Sequence, residues 1–304
     1  MFVTDFRTGI EETYGMRIRE IRRVKDVFRI RTRLGIYCLK GYDVQVEEVF
    51  YIARVFACLD ERGFTRSPKV YPTTALSPVM IHQGSVYMLT NWVHGRQPDF
   101  GSAADLRKGL RSLARFHAAA EGFPAGEAPA SRIRYFDLEK DVSDYKDLLG
   151  CYENTRHLVP PCEEAISRLR EPAVLAAITA EQQASAFIHG DYNYPNLIKD
   201  KRGKLHLIDF ENSSLHVRMK DLAHILHRNF TWNAGGMLRA VEYYQRHRQL
   251  SAPDLFLLHA LLSAPYPVVR SIKIGGIQSA ARVIPSTDRF LQYQKELGAL
   301  LASS

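Results

Sequence analysis

One segment limits the possible folds of this chain more than any other: two short apolar stretches, each followed at once by acidic or amide side chains. The first leads into His189-Gly-Asp191, and Asn196 follows five residues after Asp191. The second, Leu205–Ile208, ends at Asp209. We predict that both stretches are strands with adjacent ends, which brings two carboxylates and one amide oxygen together. Phosphoryl transfer needs such a set, because one carboxylate accepts a hydroxyl proton while the other oxygens hold Mg²⁺.

The spacing H-G-D-x₄-N followed by I-D-F resembles the catalytic and metal-binding loops of the protein-kinase-like superfamily. Its His-Gly-Asp form is that of aminoglycoside phosphotransferases, choline kinases and their relatives. The resemblance implies that Asp191 is the catalytic base and that His189 belongs to the same catalytic loop, which it supports. It also implies that Asn196 and Asp209 bind Mg²⁺. An ordinary turn rich in Asp and Asn is the alternative interpretation.

Two further acids follow these loops. The resemblance implies that Asp221 is a buried aspartate that braces the catalytic loop from the next helix, and a plain helix N-cap is its alternative. Glu211 stands where many relatives carry aspartate. It is either a second metal ligand or only a neighbour of the site.

The first part of the chain predicts strands and one helix. Ile36, Cys38 and Lys40 alternate on one strand face, where an ammonium group is costly unless it is paired. The resemblance implies that Lys40 binds the α- and β-phosphates of ATP and pairs with a glutamate of the following helix. At about 100° per residue, Glu48 lies near the apolar face of that helix and Glu47 lies opposite, so we predict the pair Lys40–Glu48. A surface lysine at a strand end is the alternative.

The segment Met88–Gly95 predicts a linker between two lobes. By resemblance, backbone groups of Asn91 and Val93 bind the adenine, although Trp92 and Val93 also fit a plain core. The turn Arg22–Val27 departs from the family pattern because it has no glycine, so backbone amides cannot approach phosphates closely there. Lys25 or a neighbouring arginine could supply charge instead.

The predicted fold class is α+β: a bilobal, protein-kinase-like fold with a β-rich N-terminal lobe and a mainly helical C-terminal lobe. We place the nucleotide-clamp lobe at residues 1–93 and the catalytic and substrate lobe at residues 94–304. The predicted strands are Met16–Val24, Val27–Thr32, Ile36–Gly41, Val79–His82 and Ser85–Trp92. The predicted helices are Gln45–Arg62, Ala103–Glu121, Leu138–Leu149, Pro161–Arg170, Lys220–Arg228, Ala234–Arg248 and Pro253–Leu262.

The 304 residues carry a formal net charge of +8, and many of the arginines lie in residues 17–33. Phe28 and Ile30 alternate with arginines there, which favours a strand with one solvated face over a nucleic-acid site.

The four cysteines form no C-x-x-C pair, so we predict reduced thiols. Acidic residues after Asp209 are few. A basic protein repels polycationic acceptors, so a neutral or anionic hydroxyl compound, or a protein Ser or Thr, is favoured.

A longer succession of motifs resembles the CotS-type spore coat proteins of the aminoglycoside and choline kinase fold. The motifs are Asn91-Trp-Val-His-Gly-Arg96, Leu113-Ala-Arg-Phe-His117, Asp221-Leu-Ala-His224, Trp232-Asn233, Tyr243-Tyr244 and Ala264-Pro-Tyr-Pro267. This resemblance implies a Mg²⁺·ATP-dependent phosphotransferase acting on a hydroxyl acceptor. The alternative is a structural spore coat component on a kinase scaffold with little or no catalysis. Other spore coat proteins are the implied partners.

The chain contains no apolar run of the roughly 18 residues that span a bilayer. Its first 15 residues also lack the apolar stretch of a secretory signal. We therefore expect a cytoplasmic protein, in the mother cell and also in the spore coat if the CotS resemblance holds.

Overall fold

The computed structural model describes residues 2–303, with side chains described from Asp5 to Ala302. The chain divides into two compact units. Unit 1 consists of Met1–Pro98, Phe123–Arg132 and Tyr194–Ser213, and unit 2 consists of Asp99–Gly122, Ile133–Asn193 and Ser214–Ser304. Unit 1 thus includes two later segments that a single boundary at residue 93 assigns to the other lobe. The predicted class, α+β with a β-rich and a helical part, is confirmed.

The sheet of unit 1 has five antiparallel strands in the order β1-β2-β3-β5-β4. The predicted strands are confirmed to within two residues at each end: β1 Ile18–Val24, β2 Val27–Thr32, β3 Ile36–Tyr42, β4 Met80–His82 and β5 Ser85–Asn91. Lys40 pairs with Val27 on one side and with Met88 on the other. Lys40 therefore lies on a central strand.

Two helices accompany this sheet. Helix α1, Phe2–Tyr14, was not predicted, and its Ile10 packs with Ile30 and Leu39 in one buried cluster. Phe6, Ile10 and Tyr14 recur every four residues, a helical spacing that sequence reasoning missed. Helix α2, Val46–Glu61, agrees with the predicted helix. Its apolar stripe, which includes Ile52 and Phe56, is buried.

The two later segments of unit 1 carry short elements. Residues 123–132 contain 3₁₀ turns at Ala125–Glu127 and Ala130–Arg132. Strands β7, Leu197–Lys199, and β8, Leu205–Leu207, pair with each other. Arg96 and Lys199 exchange two backbone hydrogen bonds, which ties the predicted linker to β7.

Unit 2 is mainly helical, with one strand pair. The chain forms β6, Phe187–Ile188, which pairs with β9, Ser214–Leu215. The strands before Asp191 and Asp209 do not pair with each other, because β6 pairs with β9 whereas β8 pairs with β7. The helices are α3 Ala103–Ala119, α4 Leu138–Gly150, α5 Val159–Leu169, α6 Pro172–Gln183, α7 Met219–Asn229, α8 Ala234–Gln245, α9 Ala252–Ser263, α10 Tyr266–Ala280 and α11 Thr287–Leu297.

Helices α6, α10 and α11 were not predicted. Helix α6 carries alanines and other apolar residues on nearly every side, so its periodicity is weak. Helix α10 contains a break at Gly275 and Gly276, which have non-helical backbone angles. Within residues 2–303 no single helix is long and apolar enough to cross a bilayer. Helices α9 and α10 are bent by 46° relative to each other, and only when taken together do they reach the length and apolar composition of a membrane span.

Candidate functional site

Unit 1 contains a cavity of about 330 Å³ on the Lys40 face of its sheet. Five of the predicted site residues line it: Lys40, Asn91, Val93, Asn196 and Asp209. The remaining lining residues come from the β1–β2 turn, β3, α2, the loop before β4, β5, the segment after β5, the residues around β7 and the loop after β8: Val24, Lys25, Asp26, Val27, Cys38, Tyr42, Phe56, Pro68, Met88, Thr90, Trp92, Gln97, Pro195, Ile198, Ile208 and Phe210. Sequence segments separated by more than 150 residues thus share one cavity.

The turn between β1 and β2 is a two-residue hairpin, Lys25-Asp26, closed by the pair Val24 and Val27. Lys25 has φ 55°, in the left-handed region, which costs a non-glycine residue roughly 1 kcal/mol. The turn has no glycine-rich stretch that would bring several backbone amides to a phosphate group. The side chain of Lys25 is the cation that this turn contributes to the cavity lining.

Lys40 bonds to two carboxylates on the loop after β8. Its Nζ lies 2.5 Å from Asp209 Oδ1 and 2.7 Å from Glu211 Oε2, and the side chain is 14% exposed. Burial lowers the pKa of Lys40, but the hydrogen bonds that it donates to Asp209 and Glu211, and the negative charge of these carboxylates, outweigh burial, and the net shift is upward. Lys40 therefore remains an ammonium ion. Because its carboxylate partners are Asp209 and Glu211, the predicted Lys40–Glu48 pair is wrong.

Glu48 has other partners. Its Oε1 accepts a hydrogen bond of 2.5 Å from Ser131 Oγ, and its two oxygens each lie 3.3 Å from a nitrogen of Arg132. Arg132 also donates from Nη1 to the backbone carbonyls of Glu211 (2.7 Å) and Ser213 (3.0 Å). The competing cation, from a segment more than 80 residues away, explains why Glu48 does not reach Lys40.

The backbone of Asp209 is itself unusual. Asp209 has φ 65°, and strained angles of this kind persist where the surroundings hold them. Phe210 is buried beside Phe56 of α2 with ring centroids 4.9 Å apart. The N–H of Ile208 donates to the carbonyl of Asn196 at 3.0 Å, which joins the two predicted metal-binding loops through the backbone.

The donor set in this part of the cavity fits Mg²⁺. Asp209 and Glu211 direct their carboxylates at one cation, the Lys40 ammonium, and Asn196, which has an amide side chain, lines the same cavity as Lys40 and Asp209. Hard divalent cations prefer such oxygen ligands. Among the described residues no group of three or more His, Cys, Asp and Glu side chains is arranged to hold a metal, so any ion here depends on the amide and on further oxygens from a ligand.

The segment after β5 presents backbone groups to the cavity. The Asn91 side chain accepts a hydrogen bond of 2.6 Å from the Lys69 N–H, and the Asn91 N–H donates to the Lys69 carbonyl. The Trp92 N–H donates to the Ile36 carbonyl at 3.0 Å. Between residues 2 and 303, no backbone partner takes the N–H of Val93. This amide is thus available to a ligand in the cavity.

In unit 2, Asp191 follows β6 and is held by an arginine. Arg228 of α7 donates from Nη1 to Asp191 Oδ1 at 2.7 Å, and the Arg228 side chain is 12% exposed. The Asp191 N–H donates to His189 Nδ1 at 3.3 Å. His189 is completely buried, and its ring nitrogen contacts the main chain of this loop. Gly190 between them has φ 83°, a conformation that favours glycine.

Asp221 braces this loop. Its two oxygens accept the backbone N–H groups of His189 (2.8 Å) and Gly190 (3.0 Å), and the side chain is fully buried. The predicted brace is confirmed. Burial raises the pKa of Asp221, but the contact with His117 and the His189 amide outweighs it and keeps the net pKa below its ordinary value. Asp221 is thus an anion that fixes the main chain beside Asp191.

The predicted site residues therefore fall into two groups. Lys40, Glu48, Asn91, Val93, Asn196 and Asp209 belong to unit 1, and His189, Asp191 and Asp221 belong to unit 2. Sequence reasoning missed Arg132 and Arg228. Nothing distinguishes these two residues in the sequence, because arginine is abundant in the chain and their partners are distant.

The family model of the phosphotransferase enzyme family (APH) matches residues 19–255. The fold is similar to that of an aminoglycoside phosphotransferase from Alicyclobacillus acidocaldarius, with TM-score 0.74, 19% identity and coverage of 96% of this chain and 92% of that one. It is also similar to the amicoumacin kinase hAmiN, solved with AMP-PNP, Ca²⁺ and Ami (TM-score 0.65, 13% identity, 99% and 93% covered).

A microcompartment-associated aminopropanol kinase is a third similar structure (TM-score 0.61, 15% identity, 99% and 95% covered). At these identities the solved structures show the fold alone. No curated protein matches the chain. The family match covers the sheet, the cavity, the His189–Asp191 loop and α7. The chain therefore belongs to the phosphotransferase enzyme family.

Proposed function

We propose that this protein is a Mg²⁺·ATP-dependent kinase that transfers the γ-phosphoryl group to a hydroxyl acceptor. The observation that carries the proposal is the convergence of Asp209 and Glu211 on Lys40 at the wall of one cavity. A cation that contacts phosphates and carboxylates that hold a metal are the two electrostatic parts that phosphoryl transfer requires.

Each residue has a stated role in this proposal. Val93 and Asn91 offer backbone groups to the adenine, and Lys40 neutralises the α- and β-phosphates. Asp209 and Asn196 hold Mg²⁺, with Glu211 as a further oxygen donor. The bound metal neutralises charge that develops on the phosphate oxygens. Asp191 orients the acceptor hydroxyl and accepts its proton.

Asp191 suits this role because Arg228 and the braced main chain fix its carboxylate. Removal of its charge is expected to stop the chemical step while nucleotide binding remains. Asp191→Asn should lower kcat by 10²- to 10⁴-fold, the usual contribution of a general base. Asp209→Ala should instead abolish stabilisation by Mg²⁺ plus AMP-PNP. A wild-type protein whose melting temperature does not respond to nucleotide with Mg²⁺ would contradict the proposal.

The acceptor is proposed to be a small neutral or anionic alcohol, in contrast to a polycationic aminoglycoside. The net charge of +8 disfavours close approach of a polycation. A panel of aminoglycosides, sugars, amino alcohols and anionic alcohols, assayed with labelled ATP, tests this. Faster transfer to an aminoglycoside than to every other class would contradict it.

The second candidate is a structural spore coat component of the CotS type with little catalysis. The glycine-free two-residue hairpin Lys25-Asp26 favours it, since that turn offers few backbone amides to a triphosphate. Under this candidate, Asp191→Asn leaves coat assembly unchanged and no extract component accepts phosphate. Location in the mother-cell cytoplasm and the spore coat, with other coat proteins as partners, belongs to the CotS proposal and is tested by fractionating sporulating cells.

A further inference from the structure

Arg132 connects three parts of unit 1 that the sequence keeps far apart. It lies at the end of a short 3₁₀ turn, and its side chain is 10% exposed. The fork of its guanidinium contacts the Glu48 carboxylate of α2 on one side and the carbonyls of Glu211 and Ser213 on the other. Its guanidinium carbon also lies 5.9 Å from the centre of the Tyr51 ring of α2.

The carbonyls that Arg132 binds belong to the loop that carries the proposed metal ligands. Asp209 and Glu211 are two residues apart, and a backbone hydrogen bond of 3.0 Å from Ser213 N–H to the Phe210 carbonyl closes the turn after them. The left-handed φ of Asp209 needs outside support, because an isolated chain would relax it. Two bonds to carbonyls at 2.7 and 3.0 Å supply such support from one side chain.

The carboxylate of Glu48 explains why Arg132 itself is fixed. A guanidinium is planar and presents its donors in a rigid arrangement, so an ion pair at one edge sets the direction of the other edge. Ser131 holds Glu48 in turn. Helix α2 therefore holds the metal loop through Glu48 and Arg132, while Lys40 remains free to contact the carboxylates of Asp209 and Glu211.

We propose that Arg132 is a positioning residue that sets the metal affinity of the Asp209–Glu211 loop. The inference rests on the proposed function, since it assumes that this loop binds Mg²⁺ with a nucleotide. Among the described hydrogen bonds and ion pairs, Arg132 contacts the carbonyls of this loop and the carboxylate of Glu48, so it acts on the loop through the main chain. Its loss should weaken the metal-dependent part of nucleotide binding and spare the metal-independent part.

Arg54 provides a matched control. It lies on α2 like Glu48, and its Nε is 3.2 Å from Glu127, which belongs to the same 123–132 segment as Arg132. Its other bond goes to Glu61 of its own helix. Arg54→Met therefore removes a link between α2 and that segment without removing a contact to the metal loop.

The experiment measures AMP-PNP binding to the 304-residue chain by calorimetry, with EDTA and over a Mg²⁺ titration. Arg132→Met should raise the Mg²⁺ concentration for half-maximal tightening at least tenfold and change the Kd in EDTA less than threefold. Arg54→Met should leave both quantities as in the wild type. Arg132→Lys keeps the positive charge but loses the planar guanidinium with its several donors, and it should raise the Mg²⁺ requirement at least threefold. If the methionine variant does not fold, the lysine variant alone tests the inference.

Three results would overturn the inference: an unchanged Mg²⁺ requirement in both Arg132 variants, an equal loss of binding with and without metal, or the same effect from Arg54→Met. Glu48→Gln should show the same metal-specific loss. Added to Arg132→Met it should cause no further loss, because both substitutions break one connection. A wild-type protein in which Mg²⁺ does not affect AMP-PNP binding contradicts the proposed function as well, which distinguishes the two failures.

Discussion

Lys40 and Asp209, which are 169 residues apart in the chain, form an ion pair with Nζ and Oδ1 2.5 Å apart. The carboxylate proposed to bind Mg²⁺ thus already faces a cation in this structure. Glu211 shares that cation at 2.7 Å. Under the proposed function we therefore expect a bound metal and Lys40 to compete for the same oxygens until phosphates give the lysine a second partner.

Replacement of Lys40 tests this competition. Lys40→Met should weaken binding of Mg²⁺·AMP-PNP at least tenfold, because charge-assisted bonds to phosphates are lost. The same variant should bind Ca²⁺ or Mg²⁺ alone more tightly than the wild type, since the carboxylates lose their internal counterion. Melting temperature against metal concentration measures the second effect. Lys69→Met, at an exposed lysine 3.7 Å from Asp60, is the control and should change neither quantity.

Asp221→Asn should destabilise unit 2 by about 3 kcal/mol, as expected when a buried anion that accepts two main-chain bonds is lost. An amide presents an NH₂ group to one of the two N–H donors and leaves it without an acceptor. Chemical unfolding measures the change. Asp288→Asn, at an exposed position in the first turn of α11, is the matched control and should cost less than 1 kcal/mol. Equal effects of the two substitutions would contradict the brace.

Buried histidines predict the direction of the pH dependence of stability. Burial lowers the pKa of His117, His227 and His259 to about 4, and it lowers the pKa of His216 and His224 well below the ordinary value. In the unfolded chain these groups bind protons below about pH 6.5, whereas the folded protein does not. The unfolded state therefore takes up more protons as the pH falls, and stability decreases.

The free energy of unfolding should thus be highest near pH 7 and above, and fall steadily from pH 6.5 towards pH 4. Each fully buried histidine should contribute on the order of 1 kcal/mol for the first pH unit below 6.5. Urea unfolding at pH 7.0, 6.0 and 5.0 measures this. His227→Gln should reduce the slope. A stability that is constant or rises over this range would contradict the neutral state of these histidines in the folded protein.

Gly95 is required by a close backbone approach. It has φ 155°, and a Cβ atom there would lie 2.2 Å from the Lys199 carbonyl oxygen and 2.8 Å from Ile198 Cγ2. Gly95→Ala should therefore destabilise the protein by about 3 kcal/mol, since β7 must shift or the linker must move. Thermal unfolding measures it. Gly126→Ala, where a Cβ atom meets nothing within 4 Å, should change stability by less than 1 kcal/mol, and similar losses in both would refute the close approach.

The local sequence determined much of this protein. Alternation between apolar and charged residues predicted the strands of unit 1, and the i, i+3, i+4 spacing of Val49, Ile52 and Phe56 predicted α2. The short motif around Asp191 and Asn196 indicated the family, which the match over residues 19–255 shows. Such properties depend on neighbours within a few residues, and a local pattern therefore carries them.

Only the tertiary structure decided the partners. Periodicity placed Glu48 on the helix face nearest the sheet, yet Glu48 pairs with Arg132, and Lys40 pairs with Asp209 and Glu211. The strand before Asp191 pairs with Ser214–Leu215 and not with the strand before Asp209. Ion pairs and strand pairs join residues tens to hundreds of positions apart. They form between whichever groups the packed chain brings within reach, and a linear pattern cannot rank competitors that meet only after folding.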